Sequence, residues 1–288
     1  MKFGAITNSW RLPLKDSALA SLVKEAEAHG ARHIELRQTC LGDCEMGEGE
    51  EWRPVLSNLK SLVDAFPNLS FDLAMAWPCL TKESDPTGQQ FQAALEAAKL
   101  VDRHAPHLRL VDPARFDSAW DTPDQIPVEA LGVIGLAREA ARQGVVLSIE
   151  NSGQPIRSMA MLVNEARARL TDAEGANLGL CLDPTNHLRG YPNDDPLGEL
   201  EALPLDMIKI VHFKQARGGE AQPALGCGDL DCARMLRILE TMGYQGPAVM
   251  EIPPHESVFD NLSASFAFLE AATREARYES QKKEGGSA

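Results

Sequence analysis

Short apolar runs alternate with amphipathic stretches along the whole chain. The runs that read as strands are 2–7, 32–36, 69–76, 107–111, 145–150, 177–183, 206–213 and 247–252. Several are almost continuously apolar, the pattern of strands buried on both faces of a parallel sheet. Between them, stretches such as 18–26 and 91–101 repeat apolar residues at helical spacing, which predicts helices packed by one face. Gly30, Gly144 and Gly243 stand where a helix ends before the next strand. A last helix is expected from about Val258 to Arg277, grading into a polar tail, 276–288, expected to be disordered. Eight such strand–helix units in about 275 residues predict an α/β protein of one domain, residues 1–275, folded as a (β/α)8 TIM barrel. A doubly wound open sheet needs a glycine fingerprint after its first strand, and Thr7-Asn8-Ser9-Trp10-Arg11 has none. The acidic stretch from Leu41 to Glu51 reads as a lid or a surface loop at the barrel mouth.

Four consecutive strands end in a metal-ligand residue: Glu150, Asp183, His212 and Glu251. In a barrel, the C-terminal strand ends surround one mouth. A single Glu or His there is commonly a solvated cap or a hydrogen-bonded core residue. Four at equivalent positions are harder to explain structurally, because three carboxylates buried together cost several kcal/mol without a cation. Three carboxylates and one imidazole make a donor set for one divalent ion, Mn2+ by preference, with Co2+, Mg2+ or Zn2+ as substitutes.

Composition narrows the partners. The net charge is −14, which argues against attraction to nucleic acid or to an anionic membrane. No apolar run approaches the roughly 20 residues of a membrane span, and the N-terminus enters a strand directly without a signal segment. Six scattered cysteines with no zinc-ligand pairing read as reduced thiols, which fits a cytoplasmic protein. A small-molecule substrate is expected, and a homo-oligomer is compatible with the sequence.

The stretches Ile34-Glu35-Leu36-Arg37, Ser148-Ile149-Glu150-Asn151, Cys181-Leu182-Asp183-Pro184-Thr185-Asn186, Val211-His212-Phe213-Lys214, Gly226-Cys227-Gly228-Asp229-Leu230-Asp231 and Met250-Glu251 resemble the xylose isomerase-like TIM barrel superfamily, in its sugar phosphate isomerase/epimerase branch. The resemblance spans almost the whole chain to about residue 275. It implies that Glu150 and Glu251 both hold the metal and exchange a proton with a carbon beside a carbonyl, through a metal-stabilised enediolate. It also implies that Arg217, five positions after His212, contacts substrate oxygens. Lys214 falls in a His-x-Lys-Asp pattern in which Gln215 replaces the Asp. Glu35 ends the second strand, as an orienting group or a substrate contact. Relatives usually carry a His three residues after the metal Asp. Here that position is Asn186, followed by His187, so one or the other takes that substrate-facing role.

Other residues weigh less. Trp10, Trp77 and Trp120 follow strand ends, where they suit either a sugar face or barrel-mouth packing. His104 and His107 fall at the opposite end of the barrel, His29 and His33 flank the start of the second strand, and His255 follows the last strand. The expected activity is a metal-dependent isomerase or epimerase of a sugar or related polyhydroxy carbonyl compound, within carbohydrate metabolism. The alternative is a carbon–oxygen lyase, a dehydratase of inosose or dehydroshikimate type, which His187 as an acid would favour. An endonuclease of the same superfamily needs extra metal ligands, and Ala74-Met75-Ala76, Asn186 and Asp229-Leu230-Asp231 do not supply them.

Overall fold

The computed structural model describes the backbone of residues 1–285 and the side chains of residues 1–275. Eight parallel strands close a barrel in chain order: β1 (Lys2–Ile6), β2 (His33–Arg37), β3 (Ser70–Ala76), β4 (His107–Val111), β5 (Val146–Glu150), β6 (Leu178–Leu182), β7 (Ile208–Phe213) and β8 (Pro247–Met250), with β8 pairing back onto β1. This is the expected (β/α)8 barrel, and each strand lies within two residues of its expected position. Parallel neighbours need a crossover, and the amphipathic stretches supply it. The helices are α1 (Leu19–Ala28), α2 (Leu56–Ala65), α3 (Gln89–Val101), α4 (Val133–Arg142), α5 (Ile156–Arg167), α6 (Asp172–Ala176), α7 (Pro184–Gly190), α8 (Pro196–Glu201), α9 (Cys232–Thr241) and α10 (Val258–Gly285). The tail expected at 276–288 falls at the end of α10. Its side chains, and all of residues 286–288, lie outside the described residues.

Helix ends follow the glycines. Gly30, Gly144 and Gly243 have φ of 105°, 73° and 77°, the left-handed region that a residue with a side chain adopts at a cost. Gly179 serves a different need, since a Cβ there would collide with the Met207 carbonyl oxygen just ahead of β7. Just beyond it the β6–β7 register shifts at Leu180/Cys181. Bulges of this kind re-aim the side chains that follow, and Asp183 and His212 emerge next.

The barrel interior is divided. On one side, Ile6, Cys181, Ile210 and Val249 form a small apolar cluster separate from the main core between barrel and helices. On the other side several inward positions of β2 to β5 are polar. At the N-terminal end, Asp72 binds His33 at 3.1 Å and His107 at 2.7 Å. His33 reaches Ser70 at 3.0 Å and His107 reaches Ser148 at 2.8 Å. The histidines at that end are thus structural. Burial pushes the Asp72 carboxyl up, but the two imidazoles outweigh it and hold it well below the usual carboxylate range.

The acidic stretch 41–51 is anchored at its root. Glu45 accepts hydrogen bonds from Thr39 N, Leu41 N and Trp52 Nε1, each within 2.8 Å, and Leu41, Cys44 and Trp52 are buried. It is a packed surface loop and contributes no wall to the main cavity. The tryptophans pack too: Trp10 against Phe259, Trp77 against Phe91 and Trp120 against Phe116. All six cysteines are free thiols. Among the described residues no helix is long and apolar enough to cross a membrane.

Because the folded-state pKa of Asp72 is depressed, its contribution is fully present above the unfolded value of about 3.9 and is lost as pH falls toward the folded value. Asp72→Asn should therefore cost about 1–3 kcal/mol in urea unfolding at neutral pH. It should also flatten the acid side of the stability curve. A variant whose acid limb is as steep as the parent's would remove Asp72 as the cause.

Candidate metal centre

Glu150 is the last residue of β5, Asp183 directly follows β6, His212 lies near the end of β7 and Glu251 directly follows β8. One donor atom from each lies within 4.8 Å of all the others. The chain holds them there by local means. Asp183 caps α7, its Oδ1 accepting Asn186 N at 2.8 Å. The Asn151 side chain clamps the Asp183 backbone to the end of β5, accepting from Asp183 N at 2.7 Å and donating to Asp183 O at 2.9 Å.

His212 is fully buried between two carboxylates. Nε2 lies 2.9 Å from Glu35 and Nδ1 lies 2.9 Å from Glu251 and 4.0 Å from Asp183. Glu35 thus orients the ring so that Nδ1 faces the other donors, the usual role of a carboxylate behind a ligating histidine. Burial opposes charge on His212, but the Cys181 sulfur and the Glu35 and Glu251 carboxylates outweigh it and hold its pKa well above the ordinary value.

The largest cation in the barrel is one that the sequence reading passed over. Arg109, inward-facing on β4 and fully buried, donates Nε to Glu35 and Nη1 to Glu150, both at 2.8 Å. The second Glu150 oxygen accepts Asn186 Nδ2 at 2.8 Å. Glu251 accepts Asn8 Nδ2 at 2.8 Å, another contact without a sequence reading. Lys214 Nζ lies 2.7 Å from both Asp183 Oδ2 and Glu251 Oε2. Burial pushes the Glu251 carboxyl up, but the Lys214 ammonium and the His212 bond reverse this and hold it well below the usual range.

The donor set fits a divalent ion. Asp183 Oδ2 is fully buried, and the Lys214 ammonium at 2.7 Å is its close cation. A buried carboxylate oxygen grouped with two further carboxylates and an imidazole nitrogen, all within 4.8 Å of one another, is a place for a metal. Glu150, Asp183, His212 and Glu251 would hold it.

A cavity of about 720 Å³ opens on the C-terminal face beside Glu251, the one of the four donors that lines it, and is walled also by Asn8, Asn186, Arg189, Lys214, parts of the loop after β7 and the segment 252–254. Of the two candidates after Asp183, Asn186 faces it. His187 is fully buried and turned away, with Nδ1 accepting Ile156 N at 3.3 Å and Nε2 against Asp194 at 3.1 Å. Glu35 is below the site with both oxygens occupied, so it is not at the cavity wall. Arg217 is drawn aside as well. Gly218 and Gly219, both at positive φ, turn the ribbon Ala216–Arg217/Glu220–Ala221, and Arg217 Nη2 donates to the Cys227 carbonyl at 2.7 Å. Gln215 pins this loop through the Gly226 and Leu230 carbonyls, at 2.6 and 2.9 Å. His255 accepts Ser257 N at 3.0 Å and is exposed outside the wall.

The model of the xylose isomerase-like TIM barrel family matches residues 7–272. The chain belongs to this family. No curated protein matches it in sequence. Among solved structures, this xylose isomerase-like barrel is similar to the probable 3-DHS dehydratase AsbF from Bacillus anthracis, with TM-score 0.71 and 17% identity over 94% of this chain and 99% of that one. It is similar to D-allulose 3-epimerase from Methylomonas sp. in complex with D-allulose, with TM-score 0.67 and 16% identity over 94% and 97%. It is also similar to the IolI protein with a binding zinc atom, with TM-score 0.66 and 16% identity over 96% and 97%. At these identities the likeness is one of fold.

Arg109→Met would leave Glu35 and Glu150 buried without their shared cation. The variant should lose about 3–5 kcal/mol in chemical unfolding, the range for a buried pair that loses one partner. Adding Glu35→Gln to it should recover part of the loss, because the two residues act as one network. Strictly additive losses would place the two in separate interactions.

Proposed function

We propose that the protein is a divalent-metal-dependent isomerase or epimerase acting on a sugar or related polyhydroxy carbonyl compound, with Mn2+ as its metal. The observation that carries this reading is the convergence of Glu150, Asp183, His212 and Glu251 within 4.8 Å of one another, with Glu251 bordering a cavity. The zinc atom in IolI and the D-allulose in the epimerase of the same fold agree with a metal and a polyol-type ligand at such a site.

When bound, the metal supplies Lewis-acid polarisation of the substrate carbonyl. The rest falls to the chain. Glu251 lines the cavity and takes the proton from the carbon beside the carbonyl. Glu150, held by Arg109 and Asn186, serves the other face of that carbon. The two carboxylates have different neighbours, Arg109 and Asn186 at Glu150 and His212, Lys214 and Asn8 at Glu251. Asn8 and Asn186 orient the pair and offer hydrogen bonds to substrate hydroxyls from the cavity wall. The position of His187 removes the sequence argument for a dehydratase, since the ring is buried beside Asp194 and away from the cavity.

Glu150→Gln and Glu251→Gln should each lower turnover by at least about 10²-fold, the usual weight of a general base. Solvent deuterium should enter the carbon next to the carbonyl during turnover of a ketose panel by the parent enzyme. Loss of water from an inosose or dehydroshikimate without isomerisation of any sugar would place the protein among the lyases instead.

Elemental analysis should find one manganese per chain in the parent and little in His212→Ala. Full retention in that variant would rule out the four-residue site.

A further inference from the structure

The Lys214 ammonium stands where a cation belongs. Its two carboxylate neighbours, Asp183 and Glu251, are two of the four donors of the proposed metal site, each 2.7 Å from Nζ. The backbone of Lys214 is fixed, since its carbonyl accepts Thr185 Oγ1 at 2.9 Å and Cys232 Sγ at 3.4 Å. The side chain is less constrained. Among the described residues Nζ has only those two carboxylates as ionic partners, and Lys214 borders the open cavity. A four-carbon stem anchored at its root and facing open space can move its charge several ångströms without moving the strand.

A divalent ion bound by Asp183 and Glu251 would be crowded against this ammonium. Like charges a few ångströms apart repel strongly in a site shielded from water. The ammonium also contributes in the absence of metal, because Asp183 and Glu251 would otherwise share only the His212 ring as a nearby cation. We propose that Lys214 is a tethered counter-ion. It neutralises Asp183 and Glu251 in the metal-free protein, is displaced into the cavity when the metal enters, and so limits metal affinity while keeping the empty site folded. Once displaced, its ammonium faces the substrate side of the site. This inference rests on the metal reading of the proposed function.

The test is calorimetric titration of MnCl2 into chelator-stripped parent protein and into Lys214→Met, which keeps the stem and removes the charge. Melting curves are taken with and without Mn2+. The variant should bind Mn2+ at least roughly tenfold more tightly, the loss of one repulsive contact. Its metal-free form should melt below the parent, and saturating Mn2+ should restore it. If metal-free Lys214→Met does not stay folded, Lys214→Gln and refolding in the presence of Mn2+ provide the same affinity comparison. Parent protein that binds Mn2+ while the variant binds it no more tightly overturns the role of Lys214 and leaves the metal site standing. Absence of Mn2+ uptake by parent and variants alike overturns both.

Discussion

Carboxylates crowded into the mouth of a barrel need positive charge within reach, and the placement of that charge organises this protein. Glu35, Glu150, Asp183 and Glu251 share one end of the interior. Arg109 bridges the first two, His212 bridges Glu35 and Glu251, and Lys214 bridges Asp183 and Glu251. Each cation serves two carboxylates, so no acid can be repositioned without disturbing another. Such a network costs desolvation on every member and is retained where its geometry is used.

The three cations differ in what they allow. The Arg109 guanidinium is fixed by two bonds inside the barrel and remains charged under all ordinary conditions. It is a permanent part of the floor. His212 is held in one orientation by Glu35, which leaves its other nitrogen for the site. Lys214 borders the cavity on a flexible stem and is the only one of the three whose charge can leave without unfolding a strand. The floor is thus fixed by paired bonds and the upper side, toward the cavity, is adjustable, an arrangement that would suit the proposed metal and ligand.

The interior below the site explains why the chemistry lies toward one side. Ile6, Ile210 and Val249 pack around Cys181 as an apolar cluster, whereas β2 to β5 carry two polar layers, His33, Asp72 and His107 below and Glu35, Arg109 and Glu150 above. The apolar side gives firm support to the strands that deliver Asp183, His212 and Glu251. The polar side ties the remaining strands together by ionic bonds across the barrel, so the closed ring is stabilised both by packing and by charge.

The alternation of apolar strands and amphipathic helices was enough to determine the barrel, because period and strand count leave few other closed arrangements. The same pattern marked Glu150, Asp183, His212 and Glu251, since a charged residue at the end of a buried strand is conspicuous in one dimension. Arg109 was hidden because its partners Glu35 and Glu150 lie 74 and 41 residues away, and Asn8 because Glu251 lies 243 residues away. A faint signal existed in the alternate polar residues His33-x-Glu35 and His107-x-Arg109, which a two-residue period sends to the same face. Only the folded chain decided between Asn186 and His187, because one residue of rotation on α7 sends one side chain into the cavity and the other into the core. Only the folded chain, too, drew Arg217 onto the Cys227 carbonyl and set Lys214 between two acids. Those outcomes depend on loop geometry and on charges brought together across the ring, and neither is written in local sequence.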